Sequence, residues 1–191
     1  MFVAVRPPAE VADHLEEFLE PRREAGPRGL RWSDPAQVHL TLAFLAAVPD
    51  RALDDLVDAL AGAAARRRTF TARVAGGGAF PDPVGARVMW AGLELADDDR
   101  TELDRLAVCC RGAAGHAGVA VDGQRFEPHL TVARLSRPTQ VMRLVGVLDT
   151  YRGPSWTVDH VALVASHLGA GPRGRPRHEV VAELPLGQGS R

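Results

Sequence analysis

Two rhythms of apolar residues run through the chain. Short apolar runs and alternation with period two mark strands at Phe2 to Arg6, Val38 to Leu45, Phe70 to Val74, Arg87 to Leu95, the stretch after Pro128, Trp156 to Ala165 and His178 to Leu184. Helical spacing marks a segment entered at Pro8, with Val11, Leu15, Phe18 and Leu19 on one face. A second helix is opened by Pro49-Asp50, carries Leu53, Leu56, Val57 and Leu60 inward, and ends near Arg66-Arg67-Arg68. A third fits Asp98 to about Ala114, with Leu103, Leu106 and Ala107 inward, and a fourth lies around Thr139 to Leu148. The stretch Gly76 to Pro83 reads as a loop between two strands, and Gly169 to Arg177 as a basic loop before the last strand. Strands and helices alternate in both halves, and no linker is long enough to demand separately folded domains, which predicts an α+β or mixed α/β fold.

Two of the strands carry the same tripeptide, His39-Leu40-Thr41 and His129-Leu130-Thr131, 90 residues apart. Side chains two apart in a strand share a face, so each His shares one with its Thr, while Leu40 and Leu42, or Leu130 and Val132, point the other way. Set side by side, the strands offer one cleft two imidazoles that exchange protons near neutrality and two hydroxyls for a phosphate. A lone strand histidine is usually a core residue; its recurrence with the same threonine favours catalysis. Phe44 and Arg134 both follow their motif His by five residues, an offset that alternation puts on the far face and a bulge would return to the cleft. A ring and a guanidinium are suited to stacking on a nucleobase. His14, His116, His160, His167 and His178 have no partner pattern and read as structural or surface residues, and Arg66-Arg67-Arg68 as a water-facing helix end.

Composition narrows the chemistry. The 191 residues are 46% hydrophobic, enough for a full core; no apolar run has membrane-spanning length and the start lacks a charged region before an apolar stretch, so a cytoplasmic location is expected, and separately a monomer. A formal net charge of -1 argues against a general nucleic-acid coat, leaving local contact with RNA. All 23 basic residues are Arg; without Lys, a P-loop NTPase and a lysyl-adduct nucleotidyl transferase are excluded. Cys109 and Cys110, the only cysteines, are adjacent and read as packing residues. No carboxylate or thiolate cluster accompanies the motifs, so neither metal nor cofactor is expected.

These stretches resemble the 2H phosphoesterases, a family named for two His-x-Thr/Ser motifs, and within it the bacterial and archaeal RNA 2′,3′-cyclic phosphodiesterases, formerly described as 2′-5′ RNA ligases. The resemblance is carried by Trp32 to Leu45, Phe80-Pro81, Arg87 to Gly92 and Phe126 to Arg134, with a weaker match in Val161 to Leu184. The chain departs from it at Ala46-Ala47 and in the longer stretch Gly169 to Pro176. The resemblance implies a single domain over residues 1–191, with two pseudo-symmetric lobes of antiparallel sheet and outer helices around a central cleft. It further implies metal-independent opening of cyclic phosphate ends of RNA to 2′-phosphomonoesters, with His129 as base, His39 as acid, and Thr41 and Thr131 on the phosphate. Two alternatives use the same residues: cleavage or reversible joining of 2′-5′ linkages, and a nucleotide-binding module without turnover.

Overall fold

The chain forms nine strands and four α-helices in a computed structural model that describes residues 1–24, 26–123, 125–171 and 176–187. In chain order these are β1 (Phe2–Val5), α1 (Ala9–Leu19), β2 (Leu30–Trp32), β3 (Leu40–Phe44), α2 (Leu53–Ala65), β4 (Phe70–Phe80) and β5 (Ala86–Glu94). Then follow α3 (Asp97–His116), β6 (Leu130–Thr139), α4 (Met142–Leu148), β7 (Arg152–Val158), β8 (His160–His167) and β9 (Arg177–Pro185). Among the described residues no helix is long and apolar enough to cross a membrane.

All named strand pairs are antiparallel, and the sheet runs in the order β7-β4-β5-β6-β3-β1-β8-β9, with β2 attached to β6 alone. The two motif strands, β3 and β6, therefore meet at the centre. They touch through one register pair, Leu40 opposite Leu130. Each half of the sheet has its own core. On one side Val3, Val5, Leu42 and Leu163 pack with Leu56 and Leu60 of α2 and Leu103 and Leu106 of α3. On the other, Met89, Val132 and Ala133 pack with Val11 and Leu15 of α1 and Leu148 of α4. The halves are interleaved in sequence: β4 and β5 lie beside the second motif strand, and β8 and β9 beside β1 and the first.

Several boundaries differ from the sequence expectation. The stretch Gly76 to Pro83 is mostly strand, because β4 continues to Phe80 and only residues 81–85 turn back into β5. The glycines there serve packing: a Cβ on Gly77 would stand 2.4 Å from Leu148, and one on Gly78 2.3 Å from the Trp90 ring. The expected strand Trp156 to Ala165 is two strands broken at Asp159, and the fourth helix starts at Met142 because Thr139 still pairs with Ala86. The three-residue β2 was too short for a periodic signal. Arg66-Arg67-Arg68 does not simply face water: Arg67 donates Nε and Nη2 to Glu102 at 2.8 and 3.1 Å, and Arg68 pairs with Asp99 at 2.9 Å. Glu102 is only 3% exposed, and a carboxylate removed from water demands such a fork. Cys110 is buried in the first core, as expected of a packing residue. In the loop before β9, Arg173 and Arg175 lie outside the described residues, and Arg177 pairs with Glu179.

The glycines provide a test of this packing. Gly78→Ala forces a methyl into Trp90 and is expected to cost about 1–3 kcal/mol. Gly112→Ala, in α3 with nothing within 4 Å of its added Cβ, is expected to gain about 0.5–1 kcal/mol. Urea unfolding of both variants checks the pair; equal effects would contradict the packing described.

Candidate active site

The register at Leu40 and Leu130 decides where the motif side chains go. One step along an antiparallel pair sets His39 across from Thr131 and Thr41 across from His129. Leu40 and Leu130 are buried on the core side, so the four polar residues share the opposite face. The two histidines occupy a diagonal of this square, a separation of roughly 7–8 Å for such positions and somewhat less between Cβ atoms. All four line one cavity of about 520 Å³.

Each motif strand then carries one extra residue. Opposite β1, Ala43 pairs with Val3 and Thr41 with Ala4, leaving Leu42 as a bulge. Opposite β5, Ala133 pairs with Met89 and Thr131 with Trp90, leaving Val132 as a bulge. Both bulges lie three residues after their histidine. Their carbonyls are satisfied off the ladder, Leu42 O by Arg111 Nε at 3.1 Å and Val132 O by Ser33 N at 2.8 Å. The shift of parity returns Phe44 and Arg134 to the cleft, where both line the cavity. Phe44 is 49% exposed at its rim.

The imidazoles are held alike. His39 Nδ1 lies 2.6 Å from Gln37 O, and His129 Nδ1 lies 2.7 Å from Glu127 O. A carbonyl only accepts, so Nδ1 is the protonated nitrogen of each neutral ring and Nε2 is left for a ligand. Their surroundings differ. His39 stacks on Phe2 at 4.5 Å between centroids and meets the edge of His178 at 5.2 Å. His129 meets Phe80 edge-on at 4.9 Å and packs near Trp90. Burial pushes His39 down to about 4, helped by the positive fields of His178, Arg134 and His129 and opposed by the bond to Gln37. His129 is lowered by burial and by Arg134, against its bond to Glu127.

His178 was missed in the sequence. It lines the cavity rather than the outer surface, and burial, with Arg6 nearby, lowers its proton affinity. Its backbone N–H is bonded to Gln37 Oε1 at 3.2 Å, and Gln37 Nε2 donates to Asp34 at 3.0 Å. Gln37 thus ties the turn before β3 to β9 while its carbonyl orients His39. No local pattern marks His178 or Gln37, because the contact joins segments 141 residues apart. Of the other histidines, exposed His14 bonds the buried Tyr151 hydroxyl, His116 and His160 bond near neighbours in sequence, and His167 bonds Glu179 on β9. Among the described residues no three His, Cys, Asp or Glu side chains are grouped to hold a metal ion.

Residues 5–170 match the family described as the 2'-5' RNA ligase superfamily. The chain belongs to this superfamily. It is 34% identical to the RNA 2',3'-cyclic phosphodiesterase of Thermus thermophilus over 97% of this chain and 89% of that protein. It is 28% identical to the protein of that name from Geobacillus stearothermophilus over 81% of this chain, spanning only 47% of that relative's length. The crystal structure of E. coli LigT complexed with 3'-AMP superposes with a TM-score of 0.74 at 26% identity, covering 98% of this chain and 97% of that one. The superfamily fold is therefore that of this chain: antiparallel sheet, outer helices and a central cleft between the motif strands.

A depressed histidine leaves a trace in stability. Below about pH 6.5 the unfolded chain takes up a proton that folded His39 refuses until about pH 4. Stability is therefore lost as pH falls through that window. Replacing His39 by Asn is expected to shrink the loss between pH 7 and 4.5 by roughly 2 kcal/mol, measured by urea unfolding at each pH. An unchanged slope would contradict the burial of this ring.

Proposed function

We propose that this protein hydrolyses 2′,3′-cyclic phosphodiester ends of RNA to 2′-phosphomonoesters, with residues 1–191 acting as one bilobal domain. The observation that carries this reading is the square of His39, Thr131, Thr41 and His129 on one cavity wall, with both imidazoles presenting Nε2. The names of the relatives and the nucleotide held by the E. coli neighbour support the substrate class.

In this reaction a water attacks phosphorus, the P–O3′ bond breaks, one imidazole takes the water's proton and the other protonates O3′. Thr41 and Thr131 hold the non-bridging oxygens. Following the resemblance, His129 is the base and His39 the acid. This order makes a demand: burial disfavours the protonated form of both rings, His39 most of all, so the anionic phosphate must bring the proton onto His39 against its burial. Phe44 offers its exposed ring to the nucleobase. Arg134, opposite Arg31, is better placed for an anion than for a base.

His39→Ala and His129→Ala are each expected to lower turnover by about 10² to 10⁴, and the Thr→Ala changes by less, one hydrogen bond each. A substrate whose leaving group needs no protonation should rescue His39→Ala far more than His129→Ala. Rescue of His129→Ala instead inverts the order.

Activity on a cyclic-ended oligonucleotide is expected to survive excess chelator, because the proton transfers need only the two imidazoles. Loss of activity, restored by a divalent ion, would replace this mechanism with a metal-assisted one.

A further inference from the structure

Strand β2 pairs with β6 alone, and that pairing puts Arg31 directly opposite Arg134. Like charges facing each other across an antiparallel pair cost stability. Here the arrangement is held firmly: Trp32 is buried in the second core, and Ser33 bonds Val132 O through its N–H and Thr131 O through Oγ, both at 2.8 Å. Both arginines are exposed and line the cavity that holds the two histidines. Among the described residues neither forms an ion pair. The carboxylate on that wall, Asp34, is taken by Ala36 N and Gln37 Nε2.

Two unneutralised guanidinium groups fixed side by side at a cleft wall suit an anion that each can grip through two N–H groups. Their distance from the reacting position is informative. Arg134 lies beyond the bulge from Thr131 on the same face, two to three residues along the strand, roughly 7–10 Å. That is the scale of one nucleotide step along an extended single strand. The charge of Arg134 also reaches the reaction centre, since it lowers the proton affinity of both motif histidines.

We propose that Arg31 and Arg134 form a fork for a second phosphate of the substrate, on the 5′ side of the nucleotide whose cyclic phosphate lies between His39 and His129. This subsite rests on the proposed activity. It selects cyclic phosphates that carry a further phosphate one nucleotide step away over bare nucleoside cyclic phosphates. That group is an internucleotide diester in RNA or a 5′-phosphate on a mononucleotide.

Kinetics on four substrates tests the fork: adenosine 2′,3′-cyclic phosphate, its 5′-phosphorylated form, a diribonucleotide with a 2′,3′-cyclic end, and that diribonucleotide with a neutral methylphosphonate linkage. The native protein is expected to favour the charged dinucleotide over the bare nucleoside at least tenfold in kcat/KM, chiefly through KM, with the neutral linkage losing that advantage. Arg31→Gln should erase most of the preference, lowering kcat/KM for the charged dinucleotide far more than for the bare nucleoside. A gain by the 5′-phosphorylated nucleoside equal to the dinucleotide's means that the fork takes either phosphate; a gain by the dinucleotide alone assigns it to the internucleotide diester. Equal loss on all four substrates in Arg31→Gln, or a neutral linkage as good as the charged one, overturns the proposal. Calorimetric binding of adenosine 2′-phosphate and adenosine 2′,5′-bisphosphate separates the two readings. If no substrate turns over, the proposed activity fails, yet a bisphosphate advantage that Arg31→Gln removes still supports the fork, and its absence from the native protein overturns it.

Discussion

The two halves of the sheet are joined at the motif strands by a single residue pair, Leu40 opposite Leu130, and the cleft takes its geometry from that register. A slip of one residue in either strand would turn that strand's histidine and threonine towards its core, because side-chain direction reverses at every step of a strand. The slip is opposed from both sides. Leu42 and Leu130 are buried in separate cores, each covered by its own pair of helices. The bulges at Leu42 and Val132 add a second constraint, since each is tied through its carbonyl to a different segment, Arg111 on one side and Ser33 on the other.

Within this frame the cleft is electrostatically one-sided. Among the described residues three histidines and two arginines line it, against one carboxylate that is already hydrogen-bonded. Burial favours the neutral form of His39 and His129, and Arg134 reinforces this. An anionic phosphate reverses the balance: it satisfies the arginines and raises the proton affinity of the rings beside it. Under the proposed mechanism, substrate binding and the protonation needed for catalysis are thus the same electrostatic event.

Much of this was legible in the residues, for identifiable reasons. Strand parity is a local rule, so the shared face of His39 with Thr41 and of His129 with Thr131 followed directly from spacing. The return of Phe44 and Arg134 to the cleft needed a bulge that spacing can suggest and only the pairing with β1 and β5 reveals. Gly76, Gly77 and Gly78 read as a loop because glycine usually marks one; in β4 Gly76 takes a positive φ of 68°, while Gly77 makes room for Leu148 and Gly78 for Trp90. Arg67 read as a solvated helix end because its partner, Glu102, lies on another helix. His178 and Arg31 gave no signal, since each acquires its meaning from a strand that returns to the cleft from elsewhere in the chain.

The claim on which the account stands is that one phosphate engages both motif histidines through Nε2. Nitrogen-15 NMR of the imidazoles, recorded while adenosine 2′-phosphate is added near neutral pH, measures this directly. In the free protein His39 and His129 are expected to show the neutral form with the proton on Nδ1. On saturation the Nε2 signals of both should move together and at least one ring should gain a proton, while exposed His116 and His160 stay still. Movement of only one of the two rings, or of neither, would contradict a shared phosphate and the two-histidine site with it.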